Sequence, residues 1–194
     1  MSKPLLFVST NQHKLEEIKS MLPQDYAVKN LKDIGWEEEI PEPHDTFEEN
    51  AAAKVSYFFR STNTPSFAED SGLVIDALGG RPGVFSARYA GIHGDNQKNI
   101  DKVLEEMKGV DMRSASFVSV IAFQPGENNI HYFIGKVKGR ITEKVMGSGG
   151  FGYDPIFIPD GFSESFGMLP VSLKNKISHR SKSMDQFLEF LKNN

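Results

Sequence analysis

Within its first 23 residues the chain switches hydrophobic period once. Leu5-Leu6-Phe7-Val8 is a short apolar run that stops at Ser9-Thr10-Asn11, the pattern of a buried strand feeding a polar turn. Leu15, Ile18 and Leu22 then recur at helical spacing, and Pro23 closes that helix. Strand, polar turn and helix in so short a stretch open an α/β unit. The alternation continues downstream. Thr46-x-x-Glu49 is a capping box at the head of a second helix, whose apolar stripe runs through Phe47, Ala51, Val55 and Phe58 or Phe59. Leu73-Val74-Ile75 reads as a strand, followed by a Gly79–Gly83 turn. Asp95 caps a third helix with Ile100, Val103, Leu104 and Met107 on one face.

The next stretch is a long antiparallel hairpin. Its arms are Ala115–Phe123 and Ile130–Ile134, bracketing a turn over Pro125–Asn129. Met184, Phe187, Leu188 and Leu191 mark a last helix at i, i+3, i+4, i+7. No repeat and no low-complexity linker interrupts the pattern. The expectation is a mixed α/β fold with a long central hairpin, residues 1–194 forming a single domain. At 194 residues a chain buries about 70% of its unfolded surface and needs no staples. The absence of cysteine excludes disulfides, thiolate metal sites and cysteine nucleophiles. The apolar run near Met1 is too short for a signal peptide or a membrane span. A net charge of -4 argues against broad nucleic-acid binding. A soluble, cytoplasmic protein with no membrane or nucleic-acid partner is expected.

Four polar clusters fall where loops or element ends are expected. Ser9, Thr10, Asn11, Gln12, His13 and Lys14 join a strand end to a helix start, where backbone N–H groups and the helix dipole favour phosphate. The same residues read equally as an ordinary helix cap with a surface lysine. Glu37–Asp45 is carboxylate-rich and broken by prolines, able to offer oxygen ligands to Mg²⁺ or simply to stay solvated. Lys54 borders the apolar stripe of the helix that follows. Glu69 and Asp70 are adjacent, so on a strand they point to opposite faces unless the strand ends at Gly72, as the glycine suggests. A carboxylate there can bind a metal or deprotonate water, or cap a turn. Finally, Gly147–Pro155 combines backbone freedom with Phe151 and Tyr153, and Lys174–Arg180 supplies cations and His179.

In combination these segments resemble the inosine/xanthosine triphosphate pyrophosphatase family. The matching stretches are Ser9–Lys14, Thr46–Ala51 with Lys54, Glu69–Leu73, Gly83–Tyr89, Gly149–Pro155 and Ser178-His179-Arg180, in the family's order and spacing. Ser9-Thr10 stands where Thr-Gly is common, and Glu69 where a second Asp is frequent. The resemblance implies an elongated α/β fold with two lobes around a central nucleotide-binding cleft, and a homodimer. It implies Mg²⁺-dependent hydrolysis of ITP, dITP and XTP to the monophosphate and pyrophosphate. Glu42 and Asp70 would hold the metal, and Asp70 would also be the general base for water attacking the α-phosphorus. Lys14 with its turn, Lys54 and Lys174 would grip the phosphates. Phe151, Gly152, Tyr153, Asp154, His179 and Arg180 would select the base, with Ser71 and Arg88 lining the site. The rival readings are a related pyrophosphatase of other modified nucleotides and a noncatalytic nucleotide sensor.

Charge distribution is more informative than its total. Residues 37–49 hold seven carboxylates and no Lys or Arg; without them 22 basic side chains face 19 acidic ones. A chain that is acidic overall can therefore still present cations to a polyanion.

Overall fold

The first strand, β1 (Lys3–Phe7), is the apolar run read from the sequence, and it leads directly into α1 (Gln12–Met21). The computed structural model describes residues 3–194. Asn11 caps α1 by accepting the Lys14 amide at 3.1 Å, and Leu15 and Ile18 form its buried face. The helix stops before Pro23, whose ring cannot continue it. β2 (Tyr26–Asn30) then returns parallel to β1, pairing Lys3 with Tyr26 and Phe7 with Asn30. Its burial alternates strictly, but the strand escapes the sequence reading because its polarity does not follow: Ala27 is exposed and Asn30 is buried.

The capping box forms as expected. The Thr46 side chain accepts the Glu49 amide and donates to its carboxylate at 2.8 Å, opening α2 (Phe47–Thr62). Ala51, Lys54, Val55, Phe58 and Phe59 are all buried along α2. β3 (Ser66–Ile75) corrects one expectation: it is ten residues long and runs straight through Gly72. The strand was expected to end there, but it stays extended to Ile75. α3 (Asn96–Glu106) starts at the predicted Asp95 cap.

β4 (Ser114–Gly126) and β5 (Asn129–Ile141) make the long hairpin. Its turn is tighter than expected, just Glu127-Asn128, with Asn128 in the left-handed region at φ 56°. β6 (Phe157–Pro159) pairs antiparallel with β5. α4 (Val171–Ile177) and α5 (His179–Asn193) end the chain, with Lys174 on the former and His179 opening the latter. The six strands lie in the order β2-β1-β3-β4-β5-β6, a mixed sheet. Among the described residues, no helix is long and apolar enough to cross a membrane.

The chain resolves into two compact units, and β3, β4 and β5 each contribute residues to both. The first comprises residues 1–70, 119–135 and 180–194. Its core gathers Phe7, Leu15, Ile18, Phe67, Ile121, Met184 and Phe187, with Phe67 stacked on Phe7 at 5.0 Å. The second comprises residues 71–118 and 136–179 and packs Leu73, Ile75, Val103, Met107, Phe157 and Phe166. Each core is apolar enough to hold the charged side chains embedded beside it in fixed positions.

Candidate active site

In the first unit the β1–α1 turn is ordered by its own side chains. Ser9 Oγ accepts the Asn11 amide at 3.1 Å, and Asn11 in turn caps Lys14. Thr10, Gln12 and His13 are exposed on this turn, with Gln12 donating to Glu16 at 3.2 Å. Lys14 does not extend into solvent. Its ammonium lies 3.2 Å from Glu69, whose side chain is fully buried.

Lys54 is 6% exposed and collects three oxygens. Its Nζ donates to Glu42 Oε1 at 2.7 Å and to the Glu69 carbonyl at 2.9 Å, and lies 3.9 Å from Asp70 Oδ1. The prolines at 41 and 43 keep Glu42 out of regular structure, and α2 delivers Lys54 from its buried side. Glu42 and Asp70, the two residues expected to bind metal, thus converge on one ammonium. Burial is the main influence on Asp70 and pushes its pKa up; Lys54 and Lys14 pull against it, while Glu42 and Glu69 push the same way.

Behind Lys14 lies a buried ion network. Arg180, 1% exposed, donates from Nε to Glu69 Oε1 at 3.0 Å and from Nη2 to Oε2 at 3.3 Å. Its third nitrogen pairs with Glu17. Ser119 donates to Glu69 Oε1 at 2.8 Å and meets Ser183 at 2.9 Å. Burial alone would lower the guanidinium pKa, but Glu69 and Glu17 outweigh it and raise it, so Arg180 stays charged. Arg180, expected beside the purine, is thus held by two carboxylates of its own unit. Glu69 carried no role in the sequence reading, and Glu17 and Ser119 were missed altogether. The available hint was Glu17 three residues after Lys14, on the same helical face.

The second unit assembles the glycine-rich loop around an ion pair. Lys174 Nζ and Asp154 Oδ2 meet at 2.5 Å, both nearly inaccessible to solvent. Asp154 Oδ2 also accepts the Phe151 amide at 2.8 Å, and the Lys174 ammonium lies 5.0 Å from the centre of the half-buried Phe151 ring. The Tyr153 hydroxyl donates to the Ser86 carbonyl at 2.8 Å, while Ser86 Oγ accepts the Leu73 amide at 2.9 Å. Burial raises the Tyr153 pKa, keeping it a neutral donor. Ser86 therefore braces the loop and the strand. Ser71 and Gly152 are half-buried. His179 is buried with its ring stacked on Phe117, centroids 4.8 Å apart. Gly150 has φ +72°, and a Cβ there would drive into the Asp154 carboxylate. Gly150→Ala is expected to destabilise the protein by about 1–3 kcal/mol. Thermal unfolding checks this; an unchanged melting temperature would show that Asp154 moves freely.

Each unit of this mixed α/β protein thus buries carboxylates directly beside ammonium or guanidinium groups. The chain belongs to the Ham1 family, whose model matches residues 5–190. A relative in Bacillus subtilis, 45% identical over 97% of each chain, is named dITP/XTP pyrophosphatase. So is one in Flavobacterium johnsoniae, 43% identical over 96% of this chain and 97% of its own. Among solved structures, the Staphylococcus aureus Ham1 protein superposes with a TM-score of 0.89 at 35% identity, covering 98% of this chain and 99% of that one.

Proposed function

We propose that the protein hydrolyses deaminated purine nucleoside triphosphates (ITP, dITP and XTP) to the monophosphate and pyrophosphate. The observation that carries this reading is Asp70, a buried carboxylate of raised pKa flanked by Lys54 and Lys14. The names of the full-length relatives support the same substrate class.

Asp70 is the general base. It takes a proton from water as the water oxygen bonds to the α-phosphorus. The bond from that phosphorus to the bridging oxygen breaks, and pyrophosphate leaves with the electron pair. A carboxylate with a raised pKa is a stronger base than an ordinary aspartate, which suits it to this step. Lys14 and Lys54 supply fixed positive charge to the triphosphate, and positioning with electrostatics provides most of the rate. Glu42 and Asp70 would hold Mg²⁺. Their hard oxygen donors, both within 4 Å of Lys54 Nζ, suit that ion, which commonly takes one or two carboxylates and completes its shell with phosphate and water. When bound, the ion would neutralise phosphate charge.

Base selection is assigned by the family resemblance to the Phe151–Asp154 loop with His179 and Arg180. Phe151 offers a face for stacking; Lys174, expected to grip the phosphates, lies 5.0 Å from the centre of that ring and joins His179 and backbone N–H groups as donors suited to a 6-oxo acceptor. Adenine presents an amino donor instead and leaves such groups unpaired, which is costly. The family resemblance further carries a cytoplasmic homodimer acting without nucleic acid or membrane; light scattering tests the dimer.

The assay is direct. With Mg²⁺, the protein is incubated with ITP, dITP, XTP, GTP or ATP in ¹⁸O-labelled water. Expected products are the monophosphate, carrying the label, and pyrophosphate, with ITP and XTP consumed about a hundredfold or more faster than ATP. Label in pyrophosphate, or release of orthophosphate and a diphosphate, would refute attack at the α-phosphorus. Stoichiometric binding without products would favour the sensor.

A further inference from the structure

We infer that Glu69 is a positioning residue that aims both lysines of the first unit; the inference rests on the triphosphate reading of that cluster. Its side chain meets Lys14 Nζ at 3.2 Å, and its main-chain carbonyl accepts from Lys54 Nζ at 2.9 Å. One strand residue thus reaches two ammonium groups, one through its side chain and one through its backbone. A carboxylate with no other counter-charge would neutralise Lys14 and weaken it as a phosphate ligand. Arg180 prevents this. Its paired bonds to Glu69 balance the carboxylate, with Ser119 as a further donor.

Glu69 therefore orients Lys14 while Arg180 offsets the Glu69 charge, and the ammonium keeps its field for an incoming polyanion. Lysine has more rotamer freedom than most side chains, so fixing it in advance removes an ordering cost from binding. Alternation along β3 does the rest, because consecutive strand residues face opposite ways and the anchoring carboxylate stays apart from Asp70, the reacting one. Glu69 needs no contact with substrate to play this part.

A double-mutant cycle tests it. Glu69→Asp and Glu69→Gln are each made in the wild-type and the Lys14→Ala backgrounds. ITP turnover, calorimetric binding of inorganic tripolyphosphate and melting temperature are measured for every variant. Glu69→Asp withdraws the carboxylate by one methylene, and KM is expected to rise about tenfold with kcat little changed. In the Lys14→Ala background the same substitution is expected to cost less than about twofold. The dissociation constant for tripolyphosphate follows the same pattern. Equal costs in both backgrounds would overturn the inference. So would a fall in kcat at unchanged KM, the mark of a smaller folded fraction. If Glu69→Gln does not fold, the Asp variant carries the comparison. If the cycle shows the coupling with tripolyphosphate while the wild-type protein leaves ITP intact, the proposed activity is refuted and the Glu69 role supported. Failure of the wild-type protein to bind tripolyphosphate overturns the Glu69 role.

Discussion

Asp70→Asn is expected to lower ITP turnover by about 10²–10⁴-fold while raising the stability of the metal-free protein. The two effects share one cause. Asp70 is 5% exposed, and the loss of hydration on burial outweighs the help it gets from Lys54 and Lys14. The folded protein therefore binds the Asp70 proton more tightly than the unfolded chain does. By linkage, the stability associated with that proton is fully present below the ordinary aspartate value and is lost as pH rises through the raised one. At neutral pH the ionised carboxylate is a standing cost, kept for its basicity. An amide of the same shape removes the charge and the base together. A gain of about 0.5–2 kcal/mol is expected, measured by urea unfolding with a chelator present. In the wild type, stability relative to Asp70→Asn should narrow as pH falls across that window. Retained turnover would remove Asp70 from the chemistry. A less stable variant would mean that its ion pair with Lys54 outweighs burial.

The largest structural effect is expected at Arg180. Arg180→Ala should destabilise the protein by about 3–5 kcal/mol, because it leaves the Glu69 charge buried without its main counter-ion. The pair is enclosed on both sides, with the side chains 1% and 0% exposed, so water cannot replace the guanidinium. The ion pair of Arg180 with Glu17 is lost as well. Arg180→Lys should rescue only part of the loss, since an ammonium cannot make the paired contact with both Glu69 oxygens. Equilibrium urea unfolding at unchanged denaturant dependence measures both variants. A loss below about 1 kcal/mol would place the pair in the range of solvated surface bridges and contradict its burial.

Local chemistry is what the sequence exposed most clearly. Thr46 and Asp95 cap the helices they were expected to cap, and Asn11 caps α1 from within the Ser9–Lys14 cluster, because a cap is decided by residues three or four apart. The hairpin and the last helix were legible for the same reason, through period alone. The end of β3 was misjudged because Gly72 was read as a breaker, whereas β3, which lies between β1 and β4 in the sheet order, continues to Ile75. β6 is only three residues long and β2 does not alternate in polarity, so both escaped the sequence and are defined by the partners they pair with.

The motifs Ser9–Lys14, Glu69-Asp70 and Ser178-His179-Arg180 by themselves point to a nucleotide-handling chain, and the family match agrees. Their division of labour was not legible. Arg180 and Glu69 are 111 residues apart in sequence, and Ser119 and Glu69 are 50 apart. Nothing in local spacing announces such a contact. By itself, then, the sequence determined the alternation of helix and strand, the caps and the family, all of which depend on near neighbours or on matched motifs. Only the tertiary structure decided which carboxylate is clamped by the arginine and which lies beside Lys54. That choice depends on burial and on charges brought together across the chain, and a buried charge is fixed by whichever partner packing puts within reach.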